Sequence, residues 1–508
     1  MFDHTLMLTI LPCFFAALAV TACGLWKPRW SLPVALLSVG ISLFGSLAVL
    51  AEVMTQGRVQ YFLGNWSEPR GIGIEFNVDP ISSLMLVLIC VVSLLSLIYA
   101  SGKITEELPG KEPLFYALFL LLMGGLLGIC MTADAFNLYV MLEITSLTSY
   151  ALVAMGNGRR AAFSAYNYVI MGTIGASFYL LGVGYLYIRT GSLNMADIFR
   201  IIQLESLQGS PTITVAFIMI LIGMLVKMAF FPLSGWLPNA YTHAPSVTGN
   251  FVAPLMTKVS VYVMVRMIIT VFGIEFTFDH LPWGQTVVWL AILAIVAGSI
   301  MALGQSDLKR MLCCLIIAEV GYMVGGAWLA NIHGMTGAVF HIFSDAAMTL
   351  CLFLAAGIFH HKNGTGEIGS LEGHFRKMPI TMAAFTLGAF SMIGVPPTCG
   401  FFSKFYLIRG GLESGQYGYV VALLLSSLVN AILFFRIFET AYFGNLSEGH
   451  HDAHGNDDHE VEIDEAPPTM LAPLVATAAG LVAIGLFNSE IAGFIQRSLT
   501  PLAVGGTW

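Results

Sequence analysis

The sequence predicts an all-α integral membrane protein with about fourteen transmembrane helices, two inverted five-helix repeats, and broken helices at spans 7 and 12. Three observations support this fold class. Hydrophobic residues make up 57% of the 508 residues and charged residues only 10%, with a mean hydropathy of +0.81. Apolar runs of about 20 residues, long enough to cross a bilayer, follow one another along the chain. Two of these runs are interrupted by prolines close to a lysine.

The composition also argues against several classes of protein. An ordinary soluble domain would carry far more charge, so we expect one helical membrane domain. The net charge is -8 and the basic residues are scattered, so no nucleic-acid surface is expected. The eight cysteines lie mostly in apolar runs without a CxxC pair, so we predict no metal site and no cofactor. The N-terminus lacks a basic region and a cleavage site, and is interpreted as the first span rather than a signal peptide.

The spans follow from apolar runs bounded by charges, proline or glycine. They are predicted at 5–23, 31–51, 80–101, 114–131, 135–155, 164–187, 213–231, 245–271, 285–304, 309–329, 335–359, 379–408 with a break, 417–441 and 469–493. They divide the chain into N-terminal helices 1–3 (1–112), a first repeat of helices 4–8 (113–272), a second inverted repeat of helices 9–13 (273–442), a His/acid-rich loop (443–468) and a C-terminal helix 14 (469–508).

The loop charges predict the orientation. Cytoplasmic loops collect lysine and arginine, and one set of loops is the richer, with Lys27, Arg29, Lys103, Lys111, Arg159, Arg160, Lys309, Arg310, Lys362, Arg376 and Lys377. This places the His/acid-rich loop in the cytoplasm and both termini on the outer side of a bacterial cytoplasmic (inner) membrane. On this interpretation Lys309 is a loop charge that topology explains.

The two broken spans contain Pro232 and Pro238 in the seventh span, and Pro396 and Pro397 in the twelfth. Proline removes a backbone donor, and a break inside a bilayer persists only where it is buried in protein or lines a wet cavity. Broken helices at matching places in two repeats are typical of transport sites in inverted-repeat carriers.

Several charges lie deep inside apolar runs. Lys258 lies about a dozen residues, or roughly 18 Å of helix, beyond the loop at Pro245, so its side chain cannot reach the interface. Lysine at a helix centre costs about 2.5–3.5 kcal/mol, so Lys227 and Lys258 need a partner or a wet path. Glu143 is the expected partner of Lys227, and moving its carboxylate away would disfavour the ammonium form. A carboxylate near the interface is the alternative explanation of Glu143.

The second half offers further groups. His341 and Asp345 are four residues apart, hence on one helix face, where a histidine beside a carboxylate suits proton shuttling. A hydrogen-bonded packing role is the alternative for His341. Glu319 and Asp345 are acids without an evident partner in apolar runs, and together they form a possible central acidic site. Lys404 is predicted to be the counterpart of Lys227 in the second half.

Residues Glu448–Glu465 form a hydrophilic insertion with His450, His451, His454 and His459 among the acids. Metal binding is possible for such a tract, but irregular histidine spacing is a weak signal. We favour a solvated, disordered cytoplasmic loop.

Five stretches carry a family resemblance: the Glu143 segment, LVKMAFFPLSGWLPNAYTHAPSVTGNFVAPLMTKVSVYVMVR, SDLKRMLCCLIIAEVGYM, HIFSDAAMTLCLFLAAG and GVPPTCGFFSKFYLI. They resemble the proton-conducting antiporter-like subunits shared by complex I, membrane-bound hydrogenases and the multisubunit Mrp cation/proton antiporters. GNWSEPRGIGIEFNVDPISSLMLV and the length resemble the MrpD branch of these subunits.

The resemblance implies a proton path through Glu143, Lys227, Lys258, His341 and Lys404, and assembly with other membrane subunits. Asp345 and Thr349 stand where the family often has a second histidine and a lysine. Glu319 stands where a neutral polar residue is usual, so the middle of the path is more acidic. We therefore expect a transporter subunit, not an enzyme, that couples protons to a monovalent cation such as sodium. A pumping subunit of a redox complex and a non-transporting scaffold remain the alternatives.

Overall fold

A computed structural model describes residues 4–66, 73–281, 283–443 and 463–503. Twelve of its helices are long and apolar enough to span a membrane, and two shorter apolar helices, Pro211–Lys227 and Pro379–Ile393, stand at the two predicted breaks. The chain is therefore a multi-pass membrane protein. The count of fourteen spans stays a prediction.

The helices of the described residues are α1 (Thr5–Trp26), α2 (Ser31–Gln56), α3 (Pro80–Ser101), α4 (Ile104–Glu107), α5 (Glu112–Met131), α6 (Ala135–Ala154), α7 (Arg159–Thr190), α8 (Met195–Leu204), α9 (Pro211–Lys227), α10 (Leu237–His243), α11 (Ser246–Arg266), α12 (Gly284–Leu303), α13 (Leu308–Ala327), α14 (Ile332–Asn363), α15 (His374–Lys377), α16 (Pro379–Ile393), α17 (Cys399–Glu413), α18 (Tyr417–Phe443), α19 (Pro468–Leu486) and α20 (Asn488–Ala503). Wider π-helical turns follow α11 at Met267–Phe272 and recur at Phe276–His280.

Burial divides the helices into a centre and a periphery. The apolar windows of α11, α13 and α14 are 89%, 94% and 94% buried, whereas those of α1, α2, α7 and α19 are 39% buried. Helices with one apolar face left uncovered suit contact with lipid, and helices buried on all sides suit the centre of a bundle. The three central helices carry Lys258, Glu319, His341 and Asp345, so the fold places these charges far from lipid.

The two halves of the chain share several local features. An aspartate caps α6 and α13: Asp134 accepts from the Asn137 N–H at 2.6 Å, and Asp307 accepts from the Arg310 N–H at 2.8 Å. The next helix in each half, α7 and α14, is 32 residues long and ends at a glycine in the left-handed region. These features agree with the predicted pair of repeats, which stays a prediction.

Three elements were not predicted from the sequence. Strands β1 (Val59–Phe62) and β2 (Glu75–Val78) pair antiparallel, with Val59 opposite Val78, between α2 and α3. We refer to the side of the bundle that carries this hairpin as the hairpin face. Helix α8 is a short amphipathic helix, and α20 is separate from α19 where one continuous span was expected.

The His/acid-rich tract lies outside the described residues up to position 462, and only its end is described. Glu465 accepts hydrogen bonds from the Ile380 N–H at 2.6 Å and the Thr381 hydroxyl at 2.7 Å, so it satisfies donors at the start of α16. Asp464 accepts from Lys362 at 2.5 Å, and this hydrogen bond lowers the pKa of Asp464. The last two acids of the tract therefore anchor α14 and α16.

Candidate functional site

The first buried pair joins α6 to the end of α9. Lys227 is the last residue of α9, and its Nζ lies 3.6 Å from Oε1 of Glu143. The same Nζ donates to the Ser146 hydroxyl at 2.5 Å. Ser146 is three residues beyond Glu143 on α6, hence on the same face. The structure thus brings together the predicted pair, and it adds a neutral acceptor that can hold Lys227 if the carboxylate moves.

The second pair joins α11 to α14 at the centre of the bundle. The Nζ of Lys258 lies 2.9 Å from Oδ2 of Asp345, and both side chains are 0% exposed. Thr349 completes the site: its hydroxyl donates to Oδ1 of Asp345 at 2.9 Å and accepts from Lys258 at 3.2 Å. Because each charge has its counter-charge, the cost of burying either one alone is relieved.

The third group joins α13, α14 and α17. His341 Nε2 lies 2.5 Å from Oε2 of Glu319, and its Nδ1 lies 2.8 Å from the Ser403 hydroxyl. The other Glu319 oxygen lies 4.0 Å from the Nζ of Lys404. Glu319 therefore stands between a titratable ring and an ammonium group, which is an arrangement that can pass a proton from one to the other.

The second helix break supplies further acceptors for Lys404. Its ammonium donates to the carbonyl of Met392 at 2.7 Å and to the Ser427 hydroxyl at 3.2 Å, and it lies 5.1 Å from the centre of the Tyr322 ring. Met392 is in the last turn of α16, where carbonyls have no partner within the helix. The break at Pro396 and Pro397 thus places a free carbonyl beside the lysine.

The first break works in a comparable way. Helix α9 ends at Lys227, and α10 begins at Leu237 with Pro238 in its first turn. The carbonyl of Val226 at the end of α9 accepts from the Trp236 indole at 3.2 Å. The interruption around Pro232 therefore leaves no orphaned acceptor at Val226, and it ends the helix at the lysine that pairs with Glu143.

One predicted pairing is wrong. From the sequence we expected His341 beside Asp345, and we treated Glu319 and Asp345 as acids without an evident partner. In the structure His341 pairs with Glu319, and Asp345 pairs with Lys258. The two residues do share a face of α14, but the neighbouring helices α13 and α11 each bring a partner closer than one turn of α14 does.

Helix α14 is consequently the element that connects the two halves. His341, Asp345 and Thr349 follow one another at intervals of four residues, which aligns them along one side of a helix. The lower part of this row contacts Lys258 of the first half, and His341 contacts Glu319 and Ser403 of the second half. The described site is therefore continuous in helices from α6 to α17.

A cluster at the face opposite the hairpin was missed. Lys309, which we had interpreted as a loop charge, is 8% exposed and donates to the Ser246 hydroxyl at 2.8 Å. Glu107 lies 3.3 Å from Lys103 and accepts from the Val247 N–H at 3.1 Å. Burial opposes ionisation of Glu107, but the nearby ammonium groups of Lys309 and Lys103 outweigh it, so the pKa of Glu107 is lowered. This cluster fixes the first turn of α11.

Glu107→Gln should destabilise the protein at neutral pH by about 1–3 kcal/mol, because two ammonium groups lose their counter-charge. The folded-state pKa of Glu107 is lowered, so its contribution is present above the unfolded-state pKa and disappears as the pH falls through the folded-state pKa. Thermal unfolding of variant and wild type should therefore differ at pH 7 and converge in acid. Glu106→Gln is the matched control, since Glu106 is 63% exposed beside His361. Equal effects of the two substitutions would contradict this explanation.

Arg266 was also misinterpreted. We had expected an anchoring or snorkelling side chain, but Arg266 forms an ion pair with Asp79, and the two side chains are only 15% and 21% exposed. Asp79 caps α3 by accepting from the Ser82 N–H at 2.9 Å. The pair closes the end of α11 that faces the hairpin, opposite the cluster around Glu107.

Comparison with known proteins agrees with this architecture. Residues 132–430 match the family described as NADH:quinone oxidoreductase/Mrp antiporter, TM, and residues 67–106 match NADH-Ubiquinone oxidoreductase (complex I), chain 5 N-terminus. The chain is 41% identical to the N subunit of the NADH-quinone oxidoreductase of Desulforudis audaxviator (strain MP104C), over 98% of each protein. It is 29% identical to the MrpD-type subunit of the Na(+)/H(+) antiporter of Bacillus subtilis (strain 168), over 81% of each.

Two solved structures are similar in fold. A chain of the membrane-bound sulfane sulfur reductase, an archaeal respiratory membrane complex, matches with a TM-score of 0.87 and 26% identity, covering 98% of this chain and 97% of the other. A chain of the Mrp complex from Dietzia sp. DQ12-45-1b matches with a TM-score of 0.85 and 23% identity, with the same coverage. The chain therefore belongs to the NADH:quinone oxidoreductase/Mrp antiporter family of membrane subunits, as an antiporter-like subunit of Mrp or complex I-like complexes.

Proposed function

We propose that the chain is a proton-translocating subunit that works with other membrane subunits of a multisubunit complex. Its path runs through Glu143, Lys227, Lys258, His341 and Lys404. The observation that carries the proposal is that each of the three buried lysines has a carboxylate within 4.0 Å: Glu143 for Lys227, Asp345 for Lys258 and Glu319 for Lys404. A scaffold without transport would have no use for three such costly pairs.

The pairs supply a means of moving protons. An ammonium group next to a carboxylate holds its proton, and separation from that carboxylate favours release to the next acceptor. The Thr349 and Ser403 hydroxyls contact the relay at Asp345 and His341, where they can accept and donate in turn. Moving one charge across 100 mV is worth about 2.3 kcal/mol, which exceeds the roughly 1.4 kcal/mol of a tenfold change in proton affinity. A membrane potential can therefore drive the relay.

Two sources of coupling have specific support. Export of a monovalent cation, Na⁺ first, is supported by the likeness to MrpD-type subunits of Na(+)/H(+) antiporters. A redox-driven pump is supported by the higher identity over nearly the whole length to an NADH-quinone oxidoreductase subunit, and by the fold of a respiratory complex. The greater identity and coverage favour the redox-driven complex. In either case the chain lies in the bacterial cytoplasmic membrane with both termini outside.

The coupling is tested in inverted vesicles that contain the complete complex. A pH gradient is imposed, and Na⁺ or K⁺ is added; in a second arm an electron donor such as reduced nicotinamide nucleotide or a low-potential thiol is supplied instead. Collapse of the gradient by the cation supports antiport. A gradient built by the electron donor, with no response to the cation, supports the redox-driven pump. A complex that responds to neither would contradict proton translocation altogether.

A further inference from the structure

A cavity of about 540 Å³ lies at the hairpin face, between α8, the β1–β2 hairpin and the end of α11. Its size is within the roughly 300–1,000 Å³ of typical ligand or solvent pockets. Its wall is mixed: apolar side chains such as Ile129, Phe199 and Ile269 alternate with charged or amide side chains, namely Arg58, Asn77, Gln203, Arg266 and Glu275. We term this cavity the vestibule.

The vestibule suits water better than hydrocarbon. A polar cavity holds water once it offers about 10–15 Å³ for each molecule and partners for its hydrogen bonds, so this space has room for tens of waters. Arg58 is exposed and Glu275 is 46% exposed, so the vestibule reaches the surface of the protein at the hairpin face. Charged groups at its mouth would otherwise lose their hydration.

The floor of the vestibule is closed by hydrogen bonds of α11. The Tyr262 hydroxyl lies 2.8 Å from that of Ser82 and donates to the Cys130 carbonyl at 3.2 Å. Arg266 lines the same cavity and is held by Asp79. Ser82 also donates to Asp79 at 3.0 Å, so Tyr262, Ser82, Asp79 and Arg266 form one connected polar floor.

Lys258 lies one helical turn below this floor. It precedes Tyr262 by four residues, or about 6 Å of rise, and side chains of a helix lean toward its N-terminus, which directs the Tyr262 ring toward the turn of Lys258. In the structure the Lys258 ammonium faces Asp345 and the Ala253 carbonyl, 3.4 Å away, and so points away from the vestibule. The four-carbon stem of lysine can turn when Asp345 is neutralised.

We propose that the vestibule is an aqueous route by which Lys258 exchanges protons with the solution at the hairpin face, with Tyr262 and the Arg266–Asp79 pair as its gate. The ammonium of Lys258 gives one proton to a vestibule water, leaving a neutral amine and a hydronium ion that departs through the mouth. The inference rests on the proposed proton relay. It adds an opening in the first half of the chain that is separate from Lys404 in the second.

Cysteine accessibility tests this inference in the complete complex. Val263 lines the vestibule and Val265, two residues later on α11, does not; both are 1% exposed, and valine to cysteine is a small change. A membrane-impermeant methanethiosulfonate with a sulfonate group is applied to right-side-out and to inverted vesicles. Val263→Cys should react about tenfold faster than Val265→Cys, and from one side only, because thiol reactivity follows exposure. Wild type reports the native cysteines, and Ile269→Cys provides a second wall position.

The outcomes separate the route from the relay. Labelling of Val263→Cys that also lowers proton flux supports the vestibule. Equal, slow reaction of the Val263, Val265 and Ile269 variants shows a dry cavity and overturns it. Fast labelling with unchanged flux shows a dead-end cavity and also overturns it, while leaving the relay in place. If Lys227→Ala left flux unchanged, the relay would fail, although the labelling pattern would persist.

Discussion

Lys258→Met is expected to destabilise the protein by about 3–5 kcal/mol, because it strands the Asp345 carboxylate in a site with no exposure to solvent. Adding Asp345→Asn should restore most of this loss, since the double variant buries no ion. The Thr349 hydroxyl can still donate to the amide oxygen at position 345. A neutral, methyl-terminated side chain cannot carry a proton, so the double variant should remain without proton flux.

This pair of variants separates stability from transport. Thermal unfolding and proton movement are measured for wild type, both single variants and the double variant. Recovered stability without recovered flux is the expected pattern. A double variant as unstable as Lys258→Met would show that the pair is not the main reason for the loss. A double variant with wild-type flux would remove Lys258 from the path.

Lys404→Met is expected to lower proton flux about tenfold or more, because Glu319 would keep only His341 as a partner. Lys404→Arg should keep the charge and the contact with the Met392 carbonyl, so that it assembles normally with slower proton release. Lys362→Met is the control: it removes a lysine whose partner, Asp464, is 69% exposed, and should leave flux unchanged. Normal flux in Lys404→Met would show that the second half is not on the path.

The individual charges could be predicted from the sequence, because a lysine or glutamate in an apolar run is conspicuous. Lys227, Lys258 and Lys404 were found in this way, and so were both helix breaks. The Glu143–Lys227 pair was also predicted, since each needed a partner in the same half. What could not be predicted is pairing among several candidates: Asp345 had both His341 and Lys258 within reach, and only the packing of α11 against α14 decides between them.

Charges near segment ends were the other difficulty. Glu107, Lys309 and Asp79 occur next to loops, and a loop charge is usually solvated, so the sequence offers no reason to expect burial. Their burial follows from the way α4 and the residues before α3 close over the two ends of α11. A carboxylate next to the start of a helix was the one available signal, and Asp79 before Pro80 carries it.

The central claim is that protons pass through the Glu143–Lys227 pair, and proton movement in vesicles of the complete complex tests it most directly. Wild type, Lys227→Ala and Lys227→Arg are compared under an imposed gradient, with expression and assembly measured in each. We expect flux in wild type, none in Lys227→Ala, and a partial rate in Lys227→Arg, which keeps a cation beside Glu143 and Ser146. Wild-type flux in an assembled Lys227→Ala complex would contradict the relay.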